Sequence, residues 1–386
     1  MAKIVVTLPR DSTLLSNILY EGLLFTTQFS QAKFDGISLD LPNDFLIKAL
    51  KRLDDERIEK IKISMVGKND NINKKLFKIL GVNVTSRGNY NDFIRKVKEY
   101  ADKLKVSRDI RLGIEFKRDE MVIDVVDEDL TAQLLKVDRY TGVTSLEGRY
   151  TSRQITLYAS KEAVVLFALG LYSSYITSTG NMFFLLTFSP EEIEDMLNRV
   201  DDQEYVKKLF RVKEKVIVFL RDVLSKITIN EVILLELYLN AEIRKLIKKE
   251  QLEKISVVLF KVAKEGNTYK IYEQVPITIY KELKFYDVIK MYFKNAEDFL
   301  ENLAEVLKPD GVIFKALENM DKYEEANNII RAVYGAYRFI VLGHANGWYE
   351  FLREIDNAYR KLKGSKKRKE ISRAKSYRNI LSRFAI

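Results

Sequence analysis

The hydrophobic pattern of the chain changes near Pro190, and this change constrains the fold more than any other feature. Before it, alternating stretches typical of strands, such as 37–41, are mixed with helical patterns such as 14–29. After it, apolar residues recur at helical spacing, interrupted by a predicted hairpin with the turn Gly266-Asn267. The sequence therefore predicts an α+β fold. Its N-terminal half mixes strands and helices with hairpins, and its mainly helical C-terminal half is a helical bundle ending in a basic helix.

The same pattern predicts three domains in the 386 residues, a length that suits two or three. Residues 1–130 are expected to form an α+β domain. Residues 131–283 are expected to form a mixed domain with a loop rich in Arg and Tyr, an apolar helix and the Gly-Asn hairpin. Residues 284–386 are expected to form a helical domain with a basic tail. Ser189 followed by Pro190 predicts a helix start at that point.

The composition excludes several classes of protein. The chain has no Cys and one His, so disulfides, Cys-based metal sites and His clusters are all excluded. It also lacks a phosphate-binding glycine loop, a dinucleotide fingerprint and a nucleophile elbow, so we expect no cofactor and no enzyme activity. No apolar run has the length of a membrane span and no secretion signal is present, which predicts a soluble, cytoplasmic protein. Five Pro and abundant Lys, Glu, Ile and Tyr are typical of a thermophile.

The positive charge of the chain is concentrated at its C-terminal end. The whole chain carries a net charge of +10. Residues 360–386 alone hold eleven basic residues against one acid, Glu370, so the rest is neutral overall. Apolar residues at helical spacing continue through this tail to Phe384, which predicts a final amphipathic helix with its basic face outward. Phosphate contacts are the expected use of such a face, and an acidic protein partner is the alternative. The candidate contact residues are Lys366, Lys367, Arg368, Lys369 and Arg373.

A second candidate interface lies in a loop where basic and aromatic residues are neighbours. Basic side chains neutralise phosphates and aromatic rings stack on bases, so this combination suits nucleic-acid binding. An ordinary solvated loop whose tyrosines pack on the edge of the domain is the alternative. Gly and hydroxyl residues between them would let backbone N–H groups approach phosphate oxygens. The candidate residues are Arg139, Tyr140, Arg149, Arg153 and Lys161.

Two patterns leave catalysis open as an alternative. Arg338 and His344 fit the loose Arg-x4–6-His pattern of HEPN-type ribonucleases, in which a base and a cation act on the ribose-phosphate backbone without a metal. On a continuous helix the two side chains would lie about 240° apart. Gly343 offers a point at which that helix can break. The second pattern is a group of carboxylates that would suit Mg²⁺ or simply an acidic turn: Asp124, Asp127, Glu128 and Asp129.

Three stretches resemble the large subunit of the archaeal type I-A CRISPR interference complex, the archaeal Cascade. The first is 139–147 (RYTGVTSLE) with 157–162 (LYASKE), and the second is 170–174 (GLYSS) with the phenylalanines and the FSPEE sequence of 183–192. The third is the Gly266-Asn267 hairpin before an all-helical end. The resemblance covers most of the chain, and none of these signatures is a catalytic motif.

The resemblance implies a non-catalytic role in antiviral defence. The large subunit of that complex binds at the foot of a crRNA-bearing backbone of other CRISPR subunits. It helps to recognise the protospacer-adjacent motif on double-stranded target DNA and to load that DNA, while a separate helicase–nuclease cuts. Guide pairing supplies most of the sequence specificity in such systems, so backbone contacts and a limited groove reading suffice for the protein. The expected partners are therefore the crRNA-containing complex, the helicase–nuclease and duplex DNA, with no membrane.

Overall fold

The structure is a computed structural model, and its description covers residues 1–8, 14–63, 89–117, 120–124, 156–265 and 268–384. These residues form two compact units. The first comprises Met1–Ile217 and Ser256–Ile277, and the second comprises Val218–Ile255 and Thr278–Ile386. The predicted boundary after residue 130 lies outside the described residues, so the three-domain division stays a prediction.

Strands are confined to the front of the chain and one later pair. They are β1 (Ala2–Val6), β2 (Lys33–Phe34), β3 (Ser38–Leu41), β4 (Ile110–Leu112), β5 (Ile114–Lys117), β6 (Glu120–Ile123), β7 (Thr156–Ala159), β8 (Tyr175–Thr179), β9 (Met182–Phe188), β10 (Lys254–Glu265) and β11 (Thr268–Tyr280). The helices of the front half are α1 (Leu14–Thr27), α2 (Phe45–Leu50), α3 (Asp55–Glu59), α4 (Tyr90–Glu99) and α5 (Lys161–Ser174). Those of the back half are α6 (Pro190–Asn198), α7 (Gln203–Leu224), α8 (Asn230–Leu239), α9 (Ala241–Lys249), α10 (Tyr286–Tyr292), α11 (Ala296–Leu307), α12 (Val312–Glu318), α13 (Ala326–Ile340), α14 (Asn346–Leu362) and α15 (Arg368–Phe384). The predicted α+β class is confirmed.

Three small sheets form in the described residues. One has the order β2-β3-β1-β4, in which β1 runs antiparallel to β3 and parallel to β4. Another has the order β5-β6-β7, in which β5 and β6 are antiparallel and β6 and β7 are parallel. The chain divides at Gly113 into β4 and β5, which belong to different sheets. The third sheet has the order β11-β10-β9-β8, with a turn at Gly180, where φ is 58°.

Two buried helices, α1 and α5, cross in the first unit at a pair of glycines. Every residue of α1 and all of α5 except Lys161 are buried. A Cβ added to Gly170 would lie 1.8 Å from the carbonyl oxygen of Ile18, and one added to Gly22 would lie 1.8 Å from that of Leu166. The backbones therefore pack directly on each other, which only glycine permits at these positions.

A buried ion pair joins α7 to this crossing. Lys213 Nζ lies 2.5 Å from Glu21 Oε2, and both side chains are almost fully excluded from solvent, at 1% and 0% exposure. Glu21 also accepts hydrogen bonds from the Phe188 N–H at 2.5 Å and from the Ser173 hydroxyl at 3.1 Å. Burial lowers the pKa of Lys213, and the adjacent Glu21 carboxylate opposes that change. The carboxylate is thus fully engaged inside the protein.

The back half is helical, with more breaks than the sequence predicts. Ser189 Oγ accepts from the Glu192 N–H at 3.3 Å and Pro190 is the first helical residue, as expected. Helical spacing predicts one helix over 310–362, but these residues form the three helices α12, α13 and α14. The last two cross at Gly335 and Gly347, where a Cβ on Gly335 would lie 2.7 Å from the Gly347 carbonyl oxygen.

Candidate nucleic-acid interface

The final helix α15 begins at a turn organised by Ser365. The Ser365 hydroxyl donates to Glu370 Oε2 at 2.5 Å and accepts from the Lys367 N–H at 3.1 Å. Lys367 Nζ also lies 3.1 Å from the Glu370 carboxylate. The bond from Ser365 is the main reason that the pKa of Glu370 is lowered. The one acid of the tail is therefore turned inward to start the helix.

An apolar stripe anchors α15 to the second unit. Its buried residues recur at helical spacing, which places them on one face. They are Ala374, Tyr377, Ile380 and Phe384. The Phe384 ring makes edge contacts with the rings of Trp348 at 5.1 Å and Phe299 at 5.7 Å. The predicted docked stripe is thus present, although Ile371, which the sequence pattern includes, is 38% exposed.

A buried carboxylate locks the first half of α15 in place. Arg373 approaches Glu325 with Nε to Oε1 at 2.5 Å and Nη2 to Oε2 at 3.3 Å. The Tyr377 hydroxyl donates to the same carboxylate at 3.2 Å, and Glu325 is 0% exposed. The Arg373 guanidinium also lies over the Tyr323 ring at 3.8 Å. Arg373, a predicted phosphate contact, therefore faces inward and holds the helix.

The remaining cations of the tail point to solvent. Seven of them are exposed and form no ion pair with any residue that the structure describes: Lys363, Lys366, Arg368, Lys369, Lys375, Arg378 and Arg383. At 100° per residue, Arg368, Lys375, Arg378 and Arg383 lie within about 140° of arc opposite the buried stripe. At 1.5 Å per residue, this face is about 22 Å long. The result is a narrow cationic face, which we call the tail face.

The structure describes one of the five residues that the sequence predicts as loop contacts to nucleic acid. Arg139, Tyr140, Arg149 and Arg153 lie outside the described residues. Lys161 is the first residue of α5, and its side chain is 41% exposed and lies 3.8 Å from Glu162 Oε1.

Arg338 and His344 lie at a break between α13 and α14. Gly343 has a φ of 71°, and the His344 N–H donates to the Arg338 carbonyl oxygen at 2.9 Å across the break. Both side chains line one cavity of 420 Å³, together with Glu350. Arg338 Nη1 lies 2.7 Å from Glu350 Oε2, so the guanidinium is already paired. The break thus removes the angular separation that a continuous helix would impose.

Asp124 of the predicted acidic group is occupied by protein partners. Arg108 Nη2 lies 2.7 Å from its carboxylate and 2.7 Å from that of Glu162, and the Ser160 hydroxyl donates to Asp124 at 2.6 Å. Residues 127–129 lie outside the described part of the chain. Within the described ranges, no group of three or more His, Asp or Glu side chains is placed to hold a metal ion.

The comparison with known proteins gives one relative over the full length. The chain is 43% identical over 396 aligned residues to an uncharacterized protein of Archaeoglobus fulgidus, and the alignment covers all of both chains. The two proteins belong to one family. No protein-family model matches the chain, and no solved structure matches it.

None of the helices in the described ranges combines the length and the apolar composition needed to cross a membrane.

Reasoning from the sequence missed part of the tail face. Lys375, Arg378 and Arg383 lie on it, whereas the contacts predicted from the sequence are Lys366, Lys367, Arg368, Lys369 and Arg373. The register of the apolar stripe was the signal that distinguishes them. Positions opposite Ala374 and Tyr377 on a helical wheel are the ones left exposed.

Proposed function

We propose that the protein is a non-catalytic nucleic-acid-binding subunit whose tail face contacts the phosphate backbone. The observation that carries the proposal is the separation of roles within α15. Its apolar stripe, Arg373 and Glu370 are used for folding, while five of its cations, and two more just before it, remain exposed and form no ion pair in the described structure. A row of exposed cations that form no ion pair in the described structure suits a linear polyanion.

The length of the tail face suits a nucleic acid. A row of about 22 Å corresponds to roughly six phosphates along one strand, at 3.4 Å each. Arg and Lys contacts of this kind fix position without reading sequence. Selective reading is then left to another element, for which the loop residues Arg139, Tyr140, Arg149 and Arg153 are the candidates.

We place this subunit in a cytoplasmic type I-A CRISPR effector. The resemblance in the middle of the chain supports this assignment, and guide pairing in such effectors leaves the protein to bind backbone and a short motif. In this role the protein helps to recognise the protospacer-adjacent motif and to load duplex DNA, while a helicase–nuclease partner cuts.

Reversing two charges of the tail face is expected to weaken DNA binding. In Lys375→Glu/Arg378→Glu, the affinity for a fluorescent 30-base-pair duplex should fall at least about tenfold at low salt. The slope of log K against log salt should become shallower by about two, since each phosphate contact contributes about 0.9. Fluorescence anisotropy over a salt series measures both quantities.

A matched control separates local contacts from net charge. Lys294→Glu/Arg331→Glu makes the same change in charge at exposed positions of the second unit outside the tail. If this control weakens binding as much as the tail variant, or if the tail variant binds like the wild type, the tail face is not the interface.

Expression of the same variants with a tag in an archaeal host tests the effector assignment, which requires crRNA to co-purify. Capture of an acidic protein without nucleic acid would contradict the proposal.

A second candidate function has one observation in its favour. Gly343 breaks the helix so that Arg338 and His344 line the same cavity, which is compatible with a metal-independent ribonuclease. The ion pair of Arg338 with Glu350 speaks against it, because the cation needed at the phosphate is already neutralised.

We expect purified protein to leave single-stranded RNA intact, because no base and free cation meet in this cavity. The measurement is gel analysis of labelled RNA with and without EDTA, for the wild type and His344→Ala. Cleavage that persists in EDTA and disappears in His344→Ala would replace the proposal with the second candidate. A Lys294→Glu preparation purified in parallel serves as the control for contaminating ribonuclease.

A further inference from the structure

A larger cavity lies in the second unit and has no part in the tail face. Its volume is 590 Å³, within the range of small-molecule sites. The ends of α8 and α9, the segment before α10 and one face of α11 surround it. Its apolar walls are made by Leu239, Leu283, Leu300 and Ala304.

Glu236 of α8 lines this cavity with an unsatisfied carboxyl group. The residue is 8% exposed, and its Oε1 is buried without a hydrogen-bond partner among the described residues. Burial raises the pKa of Glu236 to about 8. The group is therefore mostly protonated at neutral pH, and its hydroxyl can donate a hydrogen bond.

Arg244 of α9 lines the same cavity with an incompletely bonded guanidinium. One N–H donates to the Tyr238 carbonyl oxygen at 2.6 Å. No carboxylate lies within ion-pair distance of it in the part of the chain that the structure describes. Burial lowers its pKa from the usual value, but an arginine stays charged at neutral pH. Most of its five N–H donors are left without a protein acceptor.

Buried polar groups in native proteins normally find partners. Glu236 has a buried oxygen without one, and the half-buried Arg244 lines the same cavity with donors that no described residue uses. We propose that this cavity binds a small organic anion with an apolar chain, of the chemical class of the medium-chain carboxylates. The carboxylate would accept hydrogen bonds from Arg244, and the protonated Glu236 would add no negative charge to the cavity. The chain would lie against the leucine side chains of the walls.

The distribution of charge favours an anion over an amine. At the buried end, the fixed charge is that of Arg244, since Glu236 is mostly protonated at neutral pH. The other charged side chains that line the cavity are of both signs, and most of them are exposed, so solvent and salt screen them. An ammonium group placed beside the half-buried Arg244 would meet a like charge.

Titration calorimetry of the whole protein with three ligands of equal chain length tests the head group. We expect octanoate to bind at least about tenfold more tightly than octanol, and octylamine to bind more weakly than either. Preference for octylamine would mean that Glu236 ionises to pair with a cation, and it would overturn the proposal. Absence of saturable octanoate binding would overturn it equally.

Three variants locate the binding. Arg244→Gln should weaken octanoate by about tenfold to a hundredfold and leave octanol unchanged, because it removes a charge-assisted pair. Glu236→Gln keeps an N–H donor and should stay within about threefold of the wild type. Lys245→Gln removes the same charge from an exposed lining residue of α9 and should also stay within about threefold. Equal losses in Arg244→Gln and Lys245→Gln would refute the assignment of the head group. Fluorescence of Trp348, the one tryptophan of the chain and part of the second unit, checks that each variant is folded.

Discussion

Gly170→Val is expected to destabilise the first unit by about 4 kcal/mol or more, the range reached only by severe core changes. A Cβ at this position would lie 1.8 Å from the Ile18 carbonyl oxygen, and the reciprocal approach of Gly22 to α5 leaves no slack on the other side. Replacing a glycine inside a helix gains less than about 1 kcal/mol of helix propensity, so the steric overlap decides the sign. The measurement is urea denaturation followed by far-ultraviolet circular dichroism.

The chain offers two controls for this experiment. Gly364→Val changes a glycine that has nothing within 4 Å of an added Cβ, and its midpoint should match the wild type. The fluorescence of Trp348 reports the second unit, so the dichroism transition of Gly170→Val should shift more than the fluorescence transition. An unchanged dichroism midpoint in Gly170→Val would show that α1 and α5 do not cross at backbone contact.

Lys213→Met is expected to cost the first unit about 3–5 kcal/mol, the usual effect of removing one partner from a buried ion pair. The reason is the charge left behind: Glu21 is 0% exposed and would stay ionised in an apolar region or take up a proton at a free-energy cost. The methionine itself fits, since it preserves most of the volume of the lysine stem. The same denaturation experiment measures the loss.

The double variant Glu21→Gln/Lys213→Met isolates the charge. A glutamine at position 21 keeps an oxygen for the Phe188 N–H and an amide for the Ser173 hydroxyl, so the network survives without a net charge. We expect it to recover all but about 1–2 kcal/mol of the single-variant loss. If the double variant is less stable than Lys213→Met alone, the loss comes from packing around residue 213.

Local signals predicted the elements that depend on neighbouring residues. Ser189 and Pro190 start α6 as expected, and the turn before β9 forms at Gly180, a residue type that tolerates positive φ. Spacing alone also predicts the final helix, because its buried apolar residues repeat over about three turns. In each case the energy that decides the conformation is contributed within a few residues of the chain.

Features set by tertiary contacts were missed for a common physical reason. The spacing of α1 marks one apolar face, so Glu21 would be assigned to solvent, yet the whole helix is buried and Glu21 meets a lysine 192 positions away. The glycine contacts of α1 with α5 depend on the partner backbone in the same way. Single-sequence periodicity carries no information about what covers the second face of a helix.

The candidate sites show the same limit. Glu236 lies among leucines in the helix α8. This pattern does not indicate that Glu236 and Arg244, on the next helix, line one cavity. Gly343 in the sequence predicts that the helix can break between Arg338 and His344, because glycine tolerates positive φ. Its effect on the side chains depended on α14, whose direction the sequence does not specify.

The bonds of α15 to Glu325 are expected to be much less sensitive to ionic strength than the proposed binding of a polyanion to the tail face. The bonds of Arg373 and Tyr377 to Glu325 are buried, with Glu325 fully shielded, so dissolved ions screen them weakly. The tail face is open to solvent, and any polyanion on it competes with salt at every contact. If the tail face binds nucleic acid as proposed, concentrated salt is expected to release it during purification and to leave the helix docked.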